Sequence, residues 1–384
     1  MNVRGDASLR HRARTARPFL LGCSFLLMLA SELSTQPIKS TRSLSTVRTA
    51  SLHDSLFDFD IAIGRTQYQR MDARRIAVGP LLPGRSAAVS IFVADSAPAR
   101  QFARQGRGPN ELHQLFALAR SERGAPLAAV WGLGVVKLFN SDGTVSRSVD
   151  FGSRALGVAE CRSEVHVLSG VMRESGAVQG GVYAVRAGQT QPDLVHPIPI
   201  QRNTELPAFP QLLDARGGRL VAAVTNRSAL FVSDTLCRRF RVVALDLPWF
   251  VTPDSTGQSL PWEGPVPPKI LGVRWYSEQI VSVLLQRANP EARYFSDPKS
   301  RSSPRAPAGL VIPLSETVLL LVDARSGGIL ADAVLDRSGW SFVSGREIVG
   351  RRIDDELATM DIWSFQLDPD QRESSAPIQR RPRQ

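Results

Sequence analysis

From about Phe57 to Leu367 the chain has almost no stretch with a sustained helical period. Short runs of Val, Ile, Leu, Ala and aromatic residues recur instead, separated by Gly, Asp, Asn and Ser. Short strands at regular spacing with turn residues between them predict an all-β sandwich, barrel or propeller. Length selects among these. A chain of 384 residues can bury a large core; single sandwiches are shorter, whereas a propeller repeats a four-stranded blade as often as needed.

The repeats agree with that choice. "SIFVADSAPARQFARQG" (90–106) and "AAVWGLGVVKLFNSDGTVSRSV" (128–149) each show an apolar strand, a small or polar turn and a second strand. Asp142-Gly143 between apolar runs is a hairpin signal, because glycine accepts positive φ. The late part of the unit returns at 181–198, 237–250 and 317–335, and the early part at 163–170, 217–225, 278–286 and 345–353. That spacing suits a blade of about 40–50 residues. It predicts a six-bladed β-propeller of four-stranded antiparallel blades around a central channel, over residues 56–368. The units fall at about 77–110, 111–155, 156–205, 206–265, 266–338 and 339–367, with the strand "FDFDIAIG" (57–64) free to close the ring.

The ends read differently. Residues 1–30 place basic residues before an apolar stretch, Phe19 to Ala30, the layout of a signal peptide or N-terminal anchor. The stretch is short for a spanning helix, and Cys23 sits inside it, not at its end, which disfavours a lipid anchor there. The expectation is a periplasmic or secreted protein that meets the membrane only through this segment. Residues 31–55, rich in Ser and Thr, read as a disordered linker, and 369–384 as a disordered basic tail. Two insertions interrupt the repeat: 251–269, Pro- and Gly-rich, with Trp249 and Trp262 as apolar anchors for a flap, and 287–309, polar and basic. In an oxidising compartment Cys161 and Cys237 could form one bridge or remain two separate buried thiols.

The formal charge of +11 invites a nucleic-acid partner, but such a footprint needs a clustered patch or stripe. Outside the termini no basic run at helical spacing exists, and the only lysines are Lys39, Lys137, Lys269 and Lys299. We therefore expect no nucleic-acid partner, and an arginine-rich solvated surface.

The segment that most resembles a motif is "FARQGRGPNEL" (102–112). A phosphate cradle needs a Gly-rich loop between strand and helix with a Lys-Ser/Thr end, and neither is present. Val93-Ala94-Asp95, Gln101-Phe102, Gly106-Arg107-Gly108-Pro109 and Glu111 together resemble the repeat of bacterial secreted six-bladed β-propeller proteins, a group related to NHL-repeat propellers. The resemblance covers about residues 88–150. It departs at Asn110 in place of a third glycine, Leu112 in place of an aromatic and Gly132 in place of aspartate. It implies the fold and no reaction. On the residues themselves, Gly106, Gly108, Pro109, Asn110 and Glu111 form a structural inter-blade turn. Glu111 accepts backbone N–H groups, and Asn110 or a neighbouring glycine has positive φ.

No catalytic constellation stands out. His53, His113, His166 and His196 make no metal-ligand spacing, and no Gly-x-Ser-x-Gly elbow occurs. Asp354-Asp355-Glu356 reads as an exposed turn, and Asn226-Arg227-Ser228 as a chance sequon. Neither cofactor nor metal is expected. The function expected is a monomeric binding or protein-interaction module of the cell envelope, with a protein, peptide or glycan partner. The alternative is a calcium-dependent lactonase-like hydrolase at the central channel, drawing on strand-end acids such as Asp95, Asp214 and Asp323.

Overall fold

The computed structural model describes residues 42–53, 66–79, 87–93, 100–106, 108, 111–112, 115–120, 126–130, 135–140, 143–150, 155–172, 178–186, 192–198, 211–250, 268–289, 315–335, 340–352 and 359–367. The chain begins with β1 (Arg42–His53) and then builds sheets in sequence order. The first holds β2 (Gln67–Arg70), β3 (Arg75–Gly79), β4 (Ala87–Val93), β5 (Arg100–Gln105) and the short β6 (Glu111–Leu112), which lies parallel to β5. The second holds β7 (Leu115–Arg120), β8 (Pro126–Val130), β9 (Val135–Phe139) and β10 (Val145–Asp150). The third holds β11 (Ala155–Cys161), β12 (Glu164–Met172), β13 (Val178–Val185) and β14 (Asp193–Pro197). The fourth holds β15 (Leu213–Arg216), β16 (Arg219–Ala223), β17 (Ala229–Ser233) and β18 (Phe240–Ala244). The last is an eight-stranded sheet of β19 (Lys269–Trp275), β20 (Ile280–Ala288), β21 (Ser315–Asp323), β22 (Ile329–Leu335), β1, β25 (Thr359–Leu367), β24 (Glu347–Arg352) and β23 (Ser341–Ser344), in that spatial order.

The innermost strands β2, β7, β11, β15, β19 and β23 neighbour one another in turn, and β23 returns to β2. Sheets of four antiparallel strands set radially around such a ring are blades. The fold is a β-propeller.

A blade is covered on both faces, so its middle strands should read as continuous apolar runs, not alternating ones. "IVSVLLQRA" and "SETVLLLVD" do so. Val281, Val283, Leu285, Val318, Leu320 and Val322 pack toward Leu220, Phe231 and Val243 of the preceding sheet. Their neighbours Leu284, Leu319 and Leu321 pack the other way, against Phe342, Ile348 and Phe365.

Residues 42–53 correct the linker expectation. β1 pairs antiparallel with β25 from Leu44↔Leu367 to His53↔Thr359, and its first two residues pair parallel with β22. Ser and Thr suggested a linker, yet Leu44, Val47, Ala50 and Leu52 supply side chains and a bulge between Arg48 and Ala50 resets the register, so that Ala50 and Leu52 are buried. β-branched threonine suits a pleated edge. The segment 57–64, expected to close the ring, lies outside the described residues, as do most of the two insertions, with Trp262, and the tail. Lys269 at the end of the first insertion belongs to β19, and Arg287-Ala288 at the start of the second belong to β20.

Hairpins β11–β12, β15–β16, β19–β20, β21–β22 and β23–β24 meet on one face, where arginines fasten neighbouring blades. Arg162 Nε donates to Thr235 O (2.8 Å), Arg216 Nη1 to Tyr276 O (3.1 Å), Arg241 Nη1 to Arg325 O (2.7 Å) and Arg346 Nε to Tyr276 O (3.3 Å). A guanidinium offers five donors in a fixed fork, which explains why arginine, not lysine, fills this role.

Candidate functional site

The Gly106–Glu111 turn connects the first and second sheets, between β5 and β7. Its interior is filled by its own carboxylate: Gly108 N donates to Glu111 Oε2 (2.8 Å), and Glu111 N donates to Gly108 O (3.0 Å). Lys137 on β9 of the next sheet donates its Nζ to Glu111 O (2.6 Å) and Gly108 O (3.2 Å). Partial burial pulls the Lys137 ammonium below its ordinary pKa, and the charge of Glu111 offsets part of this. The loop that resembles a phosphate cradle therefore holds a glutamate where an anion would sit.

The glycines serve a different need from the one expected. Neither Gly106 nor Gly108 is among the residues with positive φ. A Cβ on Gly106 would collide with the Glu111 carboxylate, and one on Gly108 would meet its Oε2 at 3.0 Å. The requirement is close approach of Glu111, not left-handed backbone. Pro109 and Asn110 lie outside the described residues. Deleting a charged acceptor typically costs about 1.5–3 kcal/mol. Glu111→Ala should accordingly lower the urea midpoint by a cost in that range and leave ligand binding unchanged.

The centre of the ring is polar. Gln211, before β15, bridges three inner strands: its Nε2 donates to Tyr68 O (3.2 Å) and Phe342 O (3.0 Å), and its Oε1 accepts Phe342 N (3.0 Å). Its backbone pairs with β19 through Gln211 N to Leu271 O (3.2 Å) and Val273 N to Gln211 O (2.8 Å). One amide thus spans the ring near the end where β15 begins. Toward the hairpin end, Asp214 of β15 meets Arg274 of β19. Arg274 Nη1 donates to Asp214 Oδ1 (3.2 Å) and Leu213 O (3.4 Å), and Trp275 N donates to Asp214 Oδ2 (2.8 Å). Burial pushes the Asp214 carboxyl above its ordinary range, while the Arg274 charge and backbone N–H groups oppose the shift.

Arg274 is 3% exposed, and its Nε and Nη2 have no hydrogen-bond partner among the described residues. These two nitrogens form the edge of the guanidinium that receives a carboxylate bidentately. Buried polar groups are as a rule hydrogen-bonded, so this edge of Arg274 is an exception among the described residues.

The acids named from sequence are otherwise occupied. Asp214 is committed to Arg274 and Trp275. Asp323 accepts Arg325 N (3.0 Å), Ser326 N (2.7 Å) and Ser326 Oγ (2.8 Å) in the β21–β22 turn. Asp95, His113 and 354–356 lie outside the described residues. His166 is fully buried, and His196 stacks on Phe240 at 5.0 Å between ring centroids. Among the described residues no group of three or more His, Cys, Asp or Glu could hold a metal ion. Asn226 of the sequon is buried, which is no place for a glycan. Trp249 is buried in the largest core cluster.

Cys161 and Cys237 are joined as a disulfide, with Cα atoms 6.6 Å apart. It staples the end of β11 to the β17–β18 turn of the next blade. Around it backbones take the left-handed region: Arg162 (φ 52°), Ser163 (φ 63°) and Cys237 (φ 60°). The same two-residue hairpin one blade later uses Gly217-Gly218 (φ 56° and 70°).

Sequence reading does not single out Arg274, Gln211 or Lys137. The signal for Arg274 was a lone charge in the apolar run "ILGVRW".

No protein-family model matches the chain, and no curated protein matches it significantly. Solved structures do. A member of the DUF4221 family from Bacteroides vulgatus superposes with a TM-score of 0.53 at 11% identity, covering 86% of this chain and 100% of that one. A protein from Bacteroides fragilis described as exported superposes at 0.54 with 10% identity, covering 86% and 98%. The β-propeller domain of Cps50 (Swd1) from Myceliophteria thermophila reaches 0.41 at 13% identity, covering 84% and 99%, too loose a likeness to add to the argument. At such identities these neighbours speak for the fold alone.

Proposed function

We propose that this chain is an exported six-bladed β-propeller that acts as a binding module of the cell envelope and takes a carboxylate-bearing ligand or peptide at Arg274. Six blades follow if the eight-stranded sheet is two blades that meet at β22 and β1. That seam pairs only Arg42↔Ala331 and Ser43↔Asp332, and it is parallel where blade pairing is antiparallel. The blades are then β2–β5, β7–β10, β11–β14, β15–β18, β19–β22, and β23–β25 with β1. The apolar N-terminal stretch supports export, as does the likeness to a protein described as exported.

The observation that carries the binding reading is the unused Nε/Nη2 edge of buried Arg274 on an innermost strand. The hydrolase alternative would draw on Asp214, Asp323 and Asp95, and the first two are held in structural hydrogen bonds. Thermal-shift measurements with acetate, succinate, citrate and a peptide with a free C-terminus test the reading. At least one should raise the Tm of the wild-type protein and leave Arg274→Met unmoved. Equal shifts in both proteins, or none in either, would overturn the site.

A further inference from the structure

We propose that the hairpin face of the propeller is its membrane-facing side and docks on anionic lipid headgroups. Arginines that are dispersed in the sequence converge there. Arg74, Arg162, Arg216, Arg239, Arg325 and Arg346 are all exposed, and all lie on or beside the hairpins of this one face. Exposed carboxylates on the same hairpins are fewer: Asp193, Glu278 and Asp72, the last paired with Arg75. Arg162, Arg216 and Arg346 hydrogen-bond to backbone carbonyls of neighbouring blades, which fixes those three charges in place without neutralising them. A rigid basic face attracts an anionic surface with about a fivefold gain in affinity per residue near the headgroups.

The start of β1 and the end of β25 lie together on the same face, which points to a membrane and not to a free acidic partner. Phe365 N donates to Arg346 O (3.0 Å), so the end of β25 lies at the β23–β24 hairpin. Leu44 pairs with Leu367, which puts the start of β1 there too. The sequence beyond Leu367 carries Arg372, Arg380, Arg381 and Arg383 against Asp368, Asp370 and Glu373, with three of the arginines among its last five residues. Before Arg42, the apolar stretch ends at Ala30. The 11 intervening residues can span at most about 40 Å. In the N-terminal-anchor reading of residues 1–30, a tether of that reach joined to β1 beside the arginines would hold this face against the bilayer.

The test uses the full chain and sedimentation with vesicles of phosphatidylcholine alone or with about 30% phosphatidylglycerol, at 50 and 300 mM NaCl. The basic N-terminal region favours anionic vesicles by itself, so the decisive comparison is between the wild-type chain and the arginine variant below, which share that region. The expected result is a preference for anionic vesicles of at least tenfold at 50 mM that fades at 300 mM. Arg74→Gln/Arg239→Gln/Arg325→Gln should remove most of that preference. None of these three side chains fastens one blade to another, and thermal unfolding at the wild-type temperature checks the fold. Equal binding to both vesicles, or a preference untouched by the triple variant, overturns the proposal. So does retention on a poly-glutamate column without preference for anionic vesicles, which would assign the face to an acidic protein. The inference presupposes export but not the Arg274 site, whose thermal shift would survive failure here.

Discussion

Reduction of the Cys161–Cys237 bond, or its replacement by Cys161→Ser/Cys237→Ser, should lower the stability of the propeller by about 4.5 kcal/mol and its Tm by roughly 10 °C. The two cysteines are 76 residues apart, and closing a loop of that length removes that much conformational freedom from the unfolded chain in the loop-entropy description. The local backbone adds a second reason. Arg162, Ser163 and Cys237 hold left-handed conformations that side-chain-bearing residues resist. Such strain persists only where surrounding structure over-determines it. The bridge, the Arg162–Thr235 bond and the contact of Glu164 with Arg238 Nη2 (2.7 Å) supply that over-determination. Differential scanning calorimetry with and without dithiothreitol is the measurement. An unchanged Tm on full reduction would mean that blade packing alone sets the geometry here.

The architecture was legible because blades impose a local rule. Both faces of β20 and β21 are covered, so their sequences are continuously apolar, and each blade ends in turn residues. What packs against what was less legible. β1 was hidden because an edge strand needs few apolar residues, and its Ser and Thr mimic a linker until the bulge at Arg48–Ala50 turns Ala50 and Leu52 inward. The role of Gly106 and Gly108 was hidden because close approach of a side chain leaves no mark that distinguishes it from positive φ. The basic face was invisible for a topological reason. Its arginines sit one or two to a hairpin, tens of residues apart, and only the ring brings them together. Charge spread along a propeller sequence is therefore no sign of charge spread over its surface.

Asp214 and Arg274 should respond unequally to deletion, and the inequality is the most direct probe of the ring. Asp214→Ala leaves a guanidinium at 3% exposure with no carboxylate. Arginine cannot shed its proton in a protein, and breaking a buried pair from the acidic side costs about 3–5 kcal/mol. Arg274→Met leaves a carboxyl that burial already pushes upward. That group can take a proton and stay satisfied by Trp275 N, so the loss should be smaller. The double variant should recover most of the Asp214→Ala deficit, since neither charge then remains. The pH dependence has a definite sign. In Arg274→Met the folded-state pKa of Asp214 rises further above its unfolded value, so the folded state binds a proton that the unfolded state has released. Stability is then greatest below the unfolded pKa and falls as pH rises through the folded one. The Arg274→Met deficit should shrink when urea unfolding is repeated at pH 5 instead of pH 7.5, while the Asp214→Ala deficit should not. Equal losses at both pH values would show that Asp214 stays ionised without its partner, and that the ring interior is far better solvated than the burial of Arg274 implies.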